Sequence, residues 1–118
     1  MIRVYKKGNE LLEHTDRLAC EISVTLHLDG DKHWPIWIET PNGESKSVNL
    51  QTGDIMIYLG CIAPHWRNVY KGDWYSQLFF HYVRSQGIFS NCYFDIGNHN
   101  IHCSQEDLQK LKKEYSLL

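Results

Sequence analysis

The run Cys20-Glu21-Ile22-Ser23-Val24-Thr25-Leu26-His27-Leu28 decides how the chain folds. Its apolar and polar residues alternate without a break, and successive side chains of a strand point to opposite faces. Ile22, Val24, Leu26 and Leu28 therefore share one face, and Ser23, Thr25 and His27 share the other. The β-branched residues suit an extended backbone, and a period of two does not match a helix. A polar second face is out of place in an ordinary apolar core. It fits a sheet curved around a polar, ligand-lined interior.

Strand signals continue on both sides of this run. Upstream, residues 2–7 alternate until Gly8 breaks them, and Leu11 to Asp16 forms a second extended piece. Downstream, Asp29-Gly30-Asp31-Lys32 is a turn, and Trp34 to Thr40 is a strand with Pro35 at its start, where proline is tolerated. Asn42-Gly43 suits a type I′ hairpin turn that returns the chain as a strand from Ser45 to Leu50. Ile55 to Leu59 reads as a buried apolar strand, Cys61 to Val69 carries His65, and Trp74 to Val83 is a long last strand. Ser104 then caps a helix over 104–116, with Glu106 and Asp107 in its first turn, Lys110, Lys112 and Lys113 towards its end, and an apolar stripe of Leu108, Leu111 and Tyr115. Short strands at regular spacing with one terminal helix predict a mainly β sandwich or barrel, as a single domain over 1–118 with its core at 3–83.

Charge is nearly balanced, with 12 Lys and Arg against 14 Asp and Glu. No basic stripe marks a nucleic-acid partner, and no acidic run marks a disordered tail. No apolar run approaches the roughly 18 residues that cross a bilayer, and no signal-peptide core opens the chain. Neither nucleic acid nor membrane is therefore expected as a partner. The four cysteines, Cys20, Cys61, Cys92 and Cys103, are widely spaced without a Cys-x-x-Cys pair. That is the pattern of reduced thiols in a cytoplasmic protein, with one disulfide as the alternative.

His14 and Asp16 stand two apart on an extended piece, so they face the same way. Such a pair grips a metal ion, and His65 from another strand would complete a facial triad of two histidines and one carboxylate. The triad leaves three adjacent coordination positions open, which suits non-haem Fe(II) with an organic co-substrate and O2. His27 and Asp29 repeat the spacing, but Gly30 marks Asp29 as a turn residue. Cys92, His99, His102 and Cys103 carry zinc-type donors in no standard spacing. Ser76 has no visible base partner, so there is no hydrolase constellation.

Taken together, Arg3, Tyr5, Gly8, Leu11, His14 and Asp16 resemble the entry into the double-stranded β-helix of 2-oxoglutarate and Fe(II)-dependent dioxygenases, in the branch close to prolyl hydroxylases. Gly53-Asp54-Ile55-Met56-Ile57-Tyr58 looks like the strand that leads to that family's distal histidine, here His65, and Trp74-Tyr75-Ser76 occupies the place of its Arg-x-Ser. The resemblance implies a jelly-roll or cupin-like fold with a C-terminal helix. It implies His14, Asp16 and His65 as iron ligands, Tyr5 in contact with 2-oxoglutarate, and Fe(II), 2-oxoglutarate, O2 and ascorbate as cofactors. The family places an Arg or Lys at the start of the last strand, where this chain has Trp74. Arg67 is the substitute that physics suggests. It lies two residues past His65, hence about 6.6 Å along the same strand face, and a buried carboxylate needs a cation at its far end. Thr25 and His27 face inward and add hydrogen bonds, with Lys71 as a weaker cation candidate.

The expected activity is hydroxylation of a protein side chain or a small molecule. Two other readings stand beside it: a non-catalytic jelly-roll binding module, and a cupin-type metalloenzyme that does not use 2-oxoglutarate. The family's helices ahead of the first strand are missing here, which predicts an apolar sheet face covered by a partner subunit, as in a homo-oligomer, or a minimal form of the fold.

Overall fold

The computed structural model describes residues 1–92 and 103–117. Eight strands form in chain order: β1 (Ile2–Lys6), β2 (Leu11–His14), β3 (Ile22–Gly30), β4 (Ile36–Glu39), β5 (Ser45–Val48), β6 (Ile55–Tyr58), β7 (His65–Arg67) and β8 (Trp74–Tyr82). A helix, α1 (Gln105–Glu114), closes the described chain. The strands make two four-stranded sheets, ordered β1-β8-β3-β6 and β2-β7-β4-β5. The first strand pairs the last, the second the seventh, the third the sixth and the fourth the fifth, always antiparallel. This nesting is one long ribbon wound across two sheets, a jelly roll of the double-stranded β-helix kind.

The polar face of β3 lies inside. Ser23 and Thr25 have no exposed surface, while Val24 and Leu26 opposite them are half-exposed. In β8 the same alternation turns Tyr75, Gln77, Phe79 and His81 inward. The apolar weight sits at the ends of the roll. At one end Tyr5, Trp34, Tyr70 and Tyr75 pack together, with Trp34 in edge contact with Tyr5 at 4.9 Å and donating Nε1–H to Asn68 O at 2.6 Å. At the other end Cys61 and Phe89 pack under Leu111 of α1.

The helix is pinned by a buried carboxylate. Glu21 accepts from Arg84 Nε at 2.7 Å, from Arg84 N at 3.1 Å and from Tyr115 Oη at 2.8 Å, and the Arg84 guanidinium lies 4.4 Å over the Tyr115 ring. Burial, with the Glu21 carboxylate beside it, pushes the Tyr115 phenol up to about 12. Ser104 caps α1 by accepting from Asp107 N at 3.1 Å.

Two expectations need correction. Ile55 and Ile57 are not buried but 55% and 63% exposed, because the register sets them opposite Leu26 and Val24 on the outer face of the sheet. The strand expected over 61–69 shortens to β7, since Ile62 N and Ala63 N bond back to Leu59 O in a turn and Pro64 has no N–H for a ladder. An unforeseen 3-10 turn, Leu18–Cys20, follows Asp16. The outer face of the β1-β8-β3-β6 sheet exposes Ile2, Val4, Ile55, Ile57, Phe80 and Tyr82. Among the described residues no helix is long and apolar enough to cross a membrane, and no disulfide joins the four cysteines.

Candidate metal centre

His14 ends β2, and the antiparallel register sets it directly opposite His65, the first residue of β7. Asp16 follows two residues on, anchored by its N–H to Gly60 O at 2.8 Å. The three side chains converge: Asp16 Oδ1 is 3.5 Å from His14 Nε2 and 3.3 Å from His65 Nε2. Each imidazole is oriented by its other nitrogen. His14 Nδ1 meets Leu12 O at 2.7 Å and His65 Nδ1 meets Ala63 O at 2.8 Å. With Nδ1–H donated to a carbonyl, the Nε2 lone pair of each ring faces the carboxylate, as in metal-ligating histidines. Two lone pairs and an anionic oxygen repel unless a cation sits between them. A proton or a metal ion satisfies that demand, and the donor set fits a divalent metal.

Asp16 is held as an anion. Burial pushes its carboxyl up, but where protons fill that gap the hydrogen bonds from the protonated His14 and His65 rings, with that from Ser23, outweigh this and hold it well below the usual carboxylate range. The Ser23 hydroxyl donates to Asp16 Oδ2 at 2.7 Å, leaving Oδ1 to the histidines. The bond to Asp16 raises the His14 imidazole. Gly60 permits the close packing, because a Cβ there would stand 2.4 Å from Asp16 Oδ2 and 2.5 Å from Cys20 O.

The inner wall continues to Arg67, on the same face of β7 as His65 and 2% exposed. Its guanidinium lies 4.8 Å over the Trp34 ring and 5.2 Å from Tyr75, and it donates to Trp34 O and, at 2.9 Å, to Gln77 Oε1. No carboxylate pairs with it among the described residues. Arg67 Nε, Tyr75 Oη and Gln77 Nε2 are all buried without a hydrogen-bond partner. Burial pushes the Arg67 guanidinium down and the Tyr75 phenol up. Three orphaned donors around an unpaired cation are costly unless an anion fills the space between them. A cavity of about 180 Å³ joins Arg67 and Gln77 to the triad, smaller than the ~300–1,000 Å³ of drug-sized sites and suited to a small acid.

The structure thus brings His14, Asp16, His65, Tyr5 and Arg67 into one cavity. Thr25 stands behind it, donating to Gln77 Oε1 at 3.0 Å and so turning Gln77 Nε2 away. His27 does not line the cavity; it stacks on Tyr75 at 4.2 Å and opens on a separate hollow with Asp31, Lys32 and His33. Asp29 is exposed and bonds its neighbour's N–H, away from His27's partners. The alignment of Trp74 with the cavity is corrected: Trp74 is 40% exposed on the outer face, and Tyr75 is the inward residue at the start of β8. Of the zinc-type donors, His99 and His102 lie outside the described residues. Sequence reasoning set Ser23 on the inner face without giving it a role, and assigned no site role to Tyr75, Gln77 or His81, which β8 turns inward.

No family model and no curated protein matches the chain. Among solved structures, a Pseudomonas putida prolyl-4-hydroxylase superposes with a TM-score of 0.60 at 20% identity, covering 70% of this chain and 50% of that one. A cupin domain from Bordetella pertussis matches with a TM-score of 0.49 at 16% identity, covering 70% of this chain and 78% of that one. The chain spans about half the length of the prolyl-4-hydroxylase. At that identity the likeness to the prolyl-4-hydroxylase shows the fold alone.

Proposed function

We propose that this chain is an Fe(II)- and 2-oxoglutarate-dependent dioxygenase that hydroxylates a C–H bond of a protein side chain or small molecule. The observation that carries the reading is one cavity holding both a triad of two histidines and a carboxylate and a buried, unpaired guanidinium. His14, Asp16 and His65 would hold the iron, and three adjacent positions would remain for exogenous ligands. Arg67 would take the far carboxylate of 2-oxoglutarate, with Tyr75 Oη and Gln77 Nε2 as further donors and Tyr5 closing the wall. Bound Fe(II) supplies O2 activation coupled to decarboxylation of 2-oxoglutarate to succinate and CO2. The chain's own residues orient the diacid, exclude water from its buried end and keep the half-exposed His14 side of the centre open to substrate.

A cupin-type metalloenzyme without 2-oxoglutarate is the second reading. It is favoured by Trp34 O and Gln77 Oε1, which already occupy two guanidinium donors. Anaerobic titration of the Fe(II)-loaded protein with 2-oxoglutarate separates the two. A visible metal-to-ligand charge-transfer band that is absent in His14→Ala supports the dioxygenase. Iron bound without a band selects the cupin-type enzyme, and no iron leaves a non-catalytic binding module.

A further inference from the structure

Asp16 has a second oxygen, and a second set of donors surrounds it. Asp16, Cys20 and His81 each present one ligand atom, all within 4.8 Å of one another. They reach the same wall by different routes. The 3-10 turn after Asp16 swings Cys20 back beneath it, leaving the thiol 1% exposed, and His81 faces inward from β8, opposite Ser23 of β3 in the ladder. Ser23 Oγ occupies the middle of the group, 2.7 Å from Asp16 Oδ2 and 3.4 Å from His81 Nδ1.

We infer that Asp16, Cys20 and His81 form a second cation site for a zinc-class ion, with the Asp16 carboxylate bridging it to the His14–His65 centre. The division of the carboxylate supports this, since Oδ1 faces the two histidines and Oδ2 faces the other set. The donor set supports it as well. One sulfur, one imidazole nitrogen and one carboxylate oxygen suit zinc, whose bonds of about 2.0–2.3 Å set tetrahedral ligands roughly 3.5 Å apart. Closing the group therefore needs shifts of about an ångström or less, and displacement of the Ser23 hydroxyl from Oδ2 frees the oxygen. The cavity already reaches all three residues.

The inference rests on Asp16 serving the proposed iron centre, so its test reads the two sites separately. Co(II) is titrated into the reduced full chain without oxygen while bound metal is counted and the near-ultraviolet thiolate-to-cobalt band is recorded. Two equivalents are expected, one of them carrying the band. His14→Ala should lose the equivalent without the band, whereas Cys20→Ser and His81→Gln should each lose the band and one equivalent. A band present with one equivalent in the wild-type chain would uphold this site while removing the iron centre. Absence of the band in the wild-type chain, or its survival in Cys20→Ser through Cys61, Cys92 or Cys103, would overturn it. His81→Gln, on a half-buried side chain, keeps the test open should Cys20→Ser fail to fold.

Discussion

Replacing Arg67 by methionine separates its role as a ligand clamp from its role in the fold. Methionine keeps most of the volume between Trp34 and Tyr75 but removes the charge. Without ligand the change is close to balanced. It deletes a buried cation with no ionic partner, and apolar replacement of buried charges is often neutral or favourable. It also takes a donor from Trp34 O, at about 1–3 kcal/mol for an acceptor left unsatisfied, while Gln77 Oε1 retains Thr25. The apo protein should therefore keep its melting temperature within a few degrees.

With ligand the balance changes. Two charge-assisted hydrogen bonds to the far carboxylate, at about 1.5–3 kcal/mol each, less the rehydration of the released carboxylate, put the loss near 3 kcal/mol. That is about a hundredfold in 2-oxoglutarate affinity. Wild-type protein loaded with metal, at 2-oxoglutarate one hundred times its Kd, should gain about 2.7 kcal/mol, and the variant at the same concentration only about 0.4 kcal/mol. For a domain of this size that is a rise of roughly 10 °C against one or two. Anaerobic melting curves with and without 2-oxoglutarate, with metal content measured in parallel, read the difference. A full ligand-induced rise in Arg67→Met would refute the clamp, and loss of metal in that variant would refute the separation of the two halves of the cavity.

Ser23→Ala removes the donor that holds Asp16 Oδ2, and with a single equivalent of Fe(II) the affinity of the His14–His65 centre should fall about 10–100-fold with little change in the circular-dichroism spectrum. Asp31 accepts from Tyr70 Oη at 2.6 Å and from Asp73 N at 2.8 Å, and these bonds hold its carboxyl at about 2 against an ordinary 3.8. Because the folded value is depressed, the stability it contributes is present above 3.8 and is lost as pH falls towards 2; the melting temperature should fall across that window, less steeply in Asp31→Asn. Ile57→Lys places a charge in the apolar row with Val24 and Phe80 on the outer face of the β1-β8-β3-β6 sheet. Light scattering should show less association with rising concentration, and metal binding should be unchanged.

The sequence by itself determined the local elements and the identity of the pair proposed to bind metal. Period-two alternation in 22–28 and 74–82, Asn42-Gly43 between two strands, and Ser104 ahead of an acidic first turn are local signals, and each element formed where it was expected. His14 and Asp16 were legible because their spacing alone puts them on one side. Alternation defines two faces without saying which is inside, and it carries no register between strands distant in sequence. Tertiary closure decided those matters. The antiparallel pairing of β2 with β7 set His65 against His14, and the phase of β8 turned Tyr75 and Gln77 inward in place of Trp74. The register of β6 on β3 set its isoleucines beside Val24 and Leu26, so they face outward. The 3-10 turn brought Cys20 under Asp16, and the packing of Trp34 and Tyr75 around Arg67 made a flexible basic side chain into a buried cation. These are non-local contacts whose entropy is repaid only when the whole roll closes, and no short stretch of the chain encodes them.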